Sequence, residues 1–371
     1  MLELNELLHY AVEQRASDLH LKAGGRPRLR VDGHLHETEF DVLTPADTER
    51  IAAAVLSPAR AEDFARTGEA DVAYGAGAPG GADGAGRFRI TLFRQRGSVA
   101  MVLRRVLPGT PNFDTLGLPP VVHRLAEEPS GLVLVTGPGG AGKTTTVAAM
   151  IDEINETTAK HIVTIEDPIE VLHRDKRSIV SQREVGSDTA DYRSALARVL
   201  RQDPDVVFIG ELRDAETVEA ALAAAGTGQL VISTLTTTSA LESVGHLIDL
   251  FPPDRQRRAR TSLAASLRGI VSQRLLERVD GKGRIPAVEV LMATARIFDK
   301  INNEDETAGL EQIIAEGEYY GMQTFDQSLF GLYKNGLIGL RDALAAATHP
   351  HDLRISLQQA GLPVGGLDSL R

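Results

Sequence analysis

The chain has 371 residues, 40 Lys and Arg against 51 Asp and Glu for a net charge of −11, 42% hydrophobic residues and no cysteine. That length accommodates two or more domains with cores of their own, and the lack of cysteine excludes disulfides, thiol chemistry and Cys-ligated zinc. The acidic balance argues against nucleic acid as the main partner, because phosphate binding calls for a basic surface.

In chain order, Leu4, Leu7, Leu8 and Val12 fall at helical spacing, so residues 2–15 predict a short amphipathic helix. Asp18-Leu19-His20-Leu21 and Leu29-Arg30-Val31 alternate on either side of a Gly24-Gly25-Arg26-Pro27 turn and predict strands. Thr44-Pro45 opens a predicted helix through Leu56, and Ser57-Pro58 opens another. Residues 71–74, 87–93 and 99–106 are strand-like. Between the first two, Gly75 to Gly86 holds six glycines among twelve residues, which suits a flexible surface loop. Pro108-Gly109-Thr110-Pro111 and Pro119-Pro120 mark a linker. Beyond it, apolar runs at 132–135, 161–165, 205–209 and 229–234 alternate with helical patterns, the signature of a parallel sheet with crossover helices. Arg255-Gln256-Arg257-Arg258-Ala259-Arg260 is read as the solvated face of a helix. From about residue 293 the chain is expected to be helical to its end, with starts at Thr324-Phe325-Asp326 and Gly339-Leu340-Arg341-Asp342. No apolar run approaches the ~20 residues that cross a bilayer. The start, Met1-Leu2-Glu3-Leu4-Asn5-Glu6, lacks the basic stretch of a signal peptide, so a cytoplasmic protein is expected.

Gly137-Pro138-Gly139-Gly140-Ala141-Gly142-Lys143-Thr144 carries the chemistry. It follows the apolar run Leu132-Val133-Leu134-Val135 and leads into the helical pattern from Thr145, the strand–loop–helix context of a phosphate-binding loop. Glycines let backbone N–H groups turn toward phosphate, and the helix N-terminus adds its positive end. In such a loop Lys143 reaches the β and γ phosphates and the Thr144 hydroxyl ligates Mg²⁺, so ATP and Mg²⁺ are the expected cofactors.

Two acidic sites follow apolar strands. Val206-Val207-Phe208-Ile209-Gly210-Glu211 has the layout of a second acidic motif beside a phosphate loop, where Glu211 would hold the metal or its water. Ile165-Glu166-Asp167-Pro168-Ile169-Glu170 crowds three carboxylates at a strand end, which is costly without a cation or a proton to share. Ligands gather at that end in open α/β sheets, where one of these carboxylates could polarise an attacking water; the residues by themselves read equally well as an acidic surface turn.

As a set, these residues resemble the secretion-type traffic ATPases and, within them, the pilus-retraction (twitching-motility, PilT/PilU-like) branch. The resemblance covers nearly the whole chain. It rests on Ala16-Ser17-Asp18-Leu19-His20-Leu21, Arg30-Val31-Asp32-Gly33, the phosphate loop, Thr164-Ile165-Glu166-Asp167-Pro168-Ile169-Glu170 and Gln182-Arg183-Glu184-Val185-Gly186. It continues in Leu200-Arg201-Gln202-Asp203-Pro204-Asp205, Gly210-Glu211-Leu212-Arg213-Asp214 and Gly321-Met322-Gln323-Thr324-Phe325-Asp326-Gln327. It implies an α/β protein with a PAS-like α+β domain at 1–107, a linker at 108–120, a RecA-like P-loop ATPase core at 121–292 and a helical C-terminal region at 293–371. It also implies a homo-hexameric ring with nucleotide between the domains, near the neighbouring subunit.

Carried over by motif, Gly137, Pro138, Gly139, Gly140, Ala141, Gly142, Lys143, Thr144 and Thr145 contact nucleotide, and Thr144 and Glu211 serve the metal. Glu170 becomes the catalytic base. Arg89 and Arg104 match phosphate-facing arginines; read without the resemblance, both are exposed strand residues. The implied partners are a pilus platform protein of the inner membrane and a paralogous retraction ATPase. Membrane contact would come only through such partners, with no nucleic acid.

Two departures stand out. Gln229 and Thr236, in Gly228-Gln229-Leu230-Val231-Ile232-Ser233-Thr234-Leu235-Thr236, occupy positions where the family places histidines. Gln229 keeps the capacity to hydrogen-bond phosphate and stays among the expected nucleotide contacts, but neither residue carries an imidazolium charge. The basic-apolar block at Ala295-Arg296-Ile297-Phe298-Asp299-Lys300-Ile301 survives only in part. The leading expectation is a motor that retracts pili by ATP hydrolysis. The alternatives are an accessory retraction ATPase with weak hydrolysis, a pilus-assembly or type II secretion ATPase, and a nucleic-acid motor. The start close to the Ala-Ser-Asp-Leu-His block and the missing cysteines weigh against the assembly type.

Overall fold

The computed structural model describes residues 3–31, 34–76, 86–106, 109–110 and 112–364. Asp32 and Gly33, residues 77–85 of the glycine-rich stretch, Pro108 and Pro111 of the linker and residues 365–371 lie outside the described residues. The chain divides into two compact units. The first comprises Met1–Gly109 with Glu166–His173 and Arg183–Asp191; the second comprises Thr110–Ile165, Arg174–Gln182 and Tyr192–Arg371.

The first unit is built on six strands, β1 (Asp18–Lys22), β2 (Arg28–Val31), β3 (His34–Glu37), β4 (Glu69–Ala76), β5 (Gly86–Gln95) and β6 (Ser98–Val106). They form an antiparallel sheet in the order β3-β2-β1-β6-β5-β4. Alternation decides its faces: Phe88, Ile90 and Leu92 of β5 and Val99, Met101 and Leu103 of β6 are buried, while Arg89 and Arg104 turn to the opposite face. The buried set joins Leu4, Leu7 and Leu8 of the helix Leu4–Glu13 and Ile51 of the helix Pro45–Val55 in one core. Each such aliphatic side chain contributes about 2 kcal/mol by leaving water. Thr44 starts the second helix with a reciprocal capping box to Asp47, and Ser57 caps the helix Pro58–Thr67. The expected strands and helices of this region are all present; β3, every residue of which is exposed, gave no hydrophobic signal.

In the second unit β7 (Gly131–Thr136), β8 (His161–Glu166), β9 (Ile179–Glu184), β10 (Val206–Ile209), β11 (Leu230–Leu235), β12 (Leu267–Glu277) and β13 (Arg284–Met292) form a seven-stranded sheet. Its order is β13-β12-β7-β11-β10-β8-β9. The run β12-β7-β11-β10-β8 is parallel, as expected, but β13 returns antiparallel along β12, a pair absent from the sequence reading. The long run of β12 carries Ser272, Gln273 and Arg274 in its middle, which hides its buried character from a hydrophobicity pattern.

The chain leaves β7 toward β8, three places away on one side, whereas β12 lies on the other. The end of β7 is therefore the switch point where open α/β sheets receive ligands. The helix Pro253–Ser266 carries the basic stretch; Arg255 meets Glu219 on its surface, but Arg260 reaches inward to the Ile301 carbonyl at 3.2 Å and the Thr307 hydroxyl at 3.0 Å.

The helices expected after residue 293 run to Gln359, starting at Phe325 and Leu340 where the sequence places them. They close the outer edge of β13. Val290 and Gln323 exchange backbone hydrogen bonds at 2.9 and 3.2 Å, the Gln323 side chain donates to the Val288 carbonyl, and the Ser328 hydroxyl accepts from the Val288 amide. Ile285 and Ala287 of β13 finish their burial against Phe325, Leu329, Leu353 and Leu357.

Candidate active site

The phosphate loop follows a strand with no exposed residue: Gly131 to Thr136 are all buried. Gly137 turns the chain at φ +146°, where a Cβ would stand 2.5 Å from the Gln273 carbonyl and 2.9 Å from the Ala141 Cβ, so only glycine fits. Pro138, Gly139 and Gly140 are exposed, and Gly142 leads into the helix Lys143–Thr157, whose start receives no side-chain cap. Its first-turn amides remain available to an anion, and the helix dipole favours one there. Lys143 Nζ donates to the carbonyls of Gly137 at 2.6 Å and Pro138 at 3.1 Å, while Thr144 and Thr145 are exposed beside it. A glycine cradle, an uncapped helix start and an ammonium inside the loop fit a polyphosphate.

Glu211 lies on the same edge of the sheet. The Gly137 amide donates to the Leu235 carbonyl, the Leu212 amide to the Thr234 carbonyl, and the Gly210 amide to the Ile165 carbonyl, so the strand ends are tied level. Thr234 Oγ1 adds a 2.6 Å bond to the Gly210 carbonyl. Glu211 Oε2 is 2.6 Å from Arg213 Nε, and its side chain is a quarter exposed. Among the described residues no group of three or more acidic or His side chains stands ready to hold a metal. Mg²⁺ needs no such cage, since phosphate and water supply most of its ligands.

Glu170, Arg89 and Arg104 belong to the first unit. Arg89 and Arg104 face each other in register on β5 and β6, and Arg104 faces Asp18 in register on β1. Two guanidinium groups directly opposite each other repel unless each has an acid. Arg104 Nε meets Asp18 Oδ1 at 2.8 Å, and Arg89 meets Glu170 at 3.3 Å and Asp71 at 3.8 Å. Burial pushes the Asp18 carboxyl up, but the Ser17 hydroxyl and the Arg104 guanidinium outweigh it and hold Asp18 below its ordinary value. Arg89 and Glu170 are each about two-fifths exposed, so their pairing is worth less than about 1 kcal/mol and locks neither.

Of the crowded carboxylates Glu166, Asp167 and Glu170, two meet arginines: Asp167 pairs with Arg60 at 3.5 Å and Glu170 with Arg89.

Gln229 does not fit its expected role. It precedes β11, where its carbonyl accepts from the Gly131 amide at the start of β7. The phosphate loop leaves the other end of β7, six residues on, or about 20 Å along the strand. Gln229 therefore cannot touch phosphate in its own chain's loop; its Oε1 accepts from Thr227 instead. Thr236 is different. It is exposed and directly follows Leu235, the residue bonded to the Gly137 amide.

Sequence reasoning gave no role to Gln273, Arg87 or Glu184. Gln273 is buried under the loop, where its Nε2 donates to Thr146 Oγ1 at 2.9 Å. Only a pairing of β12 with β7 brings those positions together.

A strand ending in a glycine cradle at the switch point, with Lys143 inside and an acid on the same edge, defines a P-loop ATPase of the α/β class. Residues 2–317 match the type II/IV secretion system protein family. The type IV pilus retraction ATPase PilT of Pseudomonas aeruginosa is 39% identical, with 95% of this chain and 100% of PilT covered. The type IV pilus ATPase PilU of the same organism is 40% identical, with 96% and 92% covered. A crystal structure of the pilus retraction motor PilT with bound ADP aligns with a TM-score of 0.83 and 44% identity, covering 95% of this chain and 99% of that one. The chain belongs to the type II/IV secretion system protein family and, within it, to the PilT/PilU-like retraction ATPases. It is a nucleotide-binding ATPase.

Proposed function

We propose that the protein is a hexameric ring motor that spends ATP to retract a type IV pilus. Full-length likeness to retraction ATPases together with an intact phosphate loop carries this reading. In it the first unit is a PAS-like domain and the second a RecA-like core followed by a helical region. Along the chain we place the PAS-like domain at 1–107, the linker at 108–120, the core at 121–292 and the helical region at 293–371, although Glu166–His173 and Arg183–Asp191 of the core range cluster with the first unit. Lys143 draws the β and γ phosphates into the loop, and the N–H groups of residues 139–145 surround them. Thr144 and Glu211 hold Mg²⁺, which neutralises charge on the transferring phosphoryl group when bound. Glu170 takes the proton of the attacking water, and Arg89 and Arg104 balance the negative charge that builds up. Leaving its weak partner Glu170 is the movement Arg89 would make.

The ring would act on a platform protein at the inner face of the cytoplasmic membrane, alone or beside a paralogue. Among the described residues no helix is long and apolar enough to cross a membrane, so contact through partners is the simplest arrangement.

A second reading, an accessory subunit with weak hydrolysis, is favoured by one observation. Thr236 stands uncharged and exposed next to the loop where the resemblance places a histidine. Phosphate release by the purified protein, with Glu211→Ala as control, separates the two. The motor reading expects steady turnover well above the control; equal rates would overturn it.

A further inference from the structure

Beside Glu170 lies a charged pair of a different kind. Arg87 and Glu184 are ion-paired through Arg87 Nη2 and Glu184 Oε2, with side chains 19% and 8% exposed. Both also grip the backbone of one residue. Glu184 Oε2 accepts from the Ile169 amide at 3.1 Å, and Arg87 Nε donates to the Ile169 carbonyl at 3.3 Å. Ile169 is the residue directly before Glu170.

The grip is itself anchored. The Glu184 amide donates to Asp188 Oδ2 at 2.8 Å, and the Val185 amide donates to the Glu166 carbonyl at 2.8 Å. Arg60 spans Asp167 and the Val185 carbonyl, packed so closely on Gly186 that a Cβ there would lie 2.4 Å from its Nη2. The run Glu166–Glu170 is thus held along its backbone, while the Glu170 carboxylate stays two-fifths exposed.

A pair this buried loses most of its hydration, and its mutual attraction does little more than offset that cost, so net stability does not explain it. Geometry does: each charge also bonds the backbone of the same residue, Glu184 at its N–H and Arg87 at its carbonyl. We propose that Arg87 and Glu184 are positioning residues that fix the Ile169 backbone on both sides of its Cα and thereby set where the Glu170 carboxylate meets the water it deprotonates. The proposal rests on the reading of Glu170 as general base. Neither residue belongs to the phosphate loop, so the proposal expects nucleotide affinity to change little in their variants.

The test is steady-state phosphate release by the full-length protein carrying Arg87→Met, Arg87→Lys or Glu184→Gln, each alone and combined with Glu170→Gln. A base displaced by a fraction of an ångström to 1 Å loses about tenfold to a hundredfold in rate. We expect Arg87→Met to lower kcat by about tenfold or more with KM for ATP within about twofold, and Arg87→Lys to recover part of that. In the Glu170→Gln background Arg87→Met adds nothing further. Glu184→Gln, which keeps an acceptor for the Ile169 amide, loses less and serves if Arg87→Met does not fold. If Glu170→Gln alone leaves kcat intact, the base reading falls and this proposal falls with it. If Glu170→Gln is impaired while the Arg87 and Glu184 variants keep wild-type kcat, or lose the same factor in both backgrounds, the positioning role alone is overturned.

Discussion

Lys143 Nζ stands 2.6 Å from the Gly137 carbonyl, so the residue that ends the phosphate loop also closes it onto its first residue. The ammonium holds the cradle in shape through Gly137 and Pro138 and sits where phosphate oxygens would replace those carbonyls.

Lys143→Ala removes both roles. A hydrogen bond to a charged group is worth about 1.5–3 kcal/mol, so ATP affinity should fall at least about tenfold. Titration calorimetry measures it directly, and an unchanged affinity would contradict the assignment.

Glu289 on β13 gives a pH dependence to stability. Burial pushes its carboxyl up to about 6, although the Ala240 amide, which donates to it at 2.7 Å, and Arg274 pull the other way; Glu311 and Asp326 add to the rise. A carboxyl raised in the folded state favours folding fully below its ordinary value of 4.5, and that contribution disappears as pH rises through about 6. The span amounts to about 2 kcal/mol. Glu289→Gln keeps an acceptor for Ala240 and cannot ionise, so its stability should lack this fall and match or exceed the native protein at neutral pH. Urea unfolding across pH 4–8 checks it; parallel curves for the two proteins would refute the argument.

The two positions that depart from the family histidines should behave differently. Thr236→His places an imidazole beside the loop and is expected to raise phosphate release several-fold. Gln229→His, at the far end of β11, is expected to leave it unchanged. The reverse ranking in a turnover assay would show that the loop's surroundings have been assigned to the wrong end of the sheet.

Local pattern was enough to find much of this protein. Leu132 to Val135 is an unbroken apolar run, and the glycine loop after it is contiguous in sequence, so strand, cradle and helix were all legible. The partners of the carboxylates were not. Arg60 and Arg89 lie 107 and 81 residues from Asp167 and Glu170, and nothing local announces such a pairing. Gln229 shows the opposite error. Its place at a family histidine and its hydrogen-bonding capacity suggested a phosphate contact, but the strand between it and Thr236 carries the two residues to opposite ends of the sheet. The β12–β13 pair escaped because Ser272, Gln273 and Glu289 are buried polar residues, each hydrogen-bonded to a neighbour that the sequence alone does not identify.

The closure of β13 by Gln323 and Ser328 bears on how the protein is made. A ribosome releases the strand some thirty residues before the groups that satisfy its outer rim. Until those helices emerge, the nascent sheet offers open amides and carbonyls to any passing chain, including its own siblings. The tail is thus the last stitch of the catalytic half, and a polypeptide cut short before it would meet its neighbours as a sticky edge.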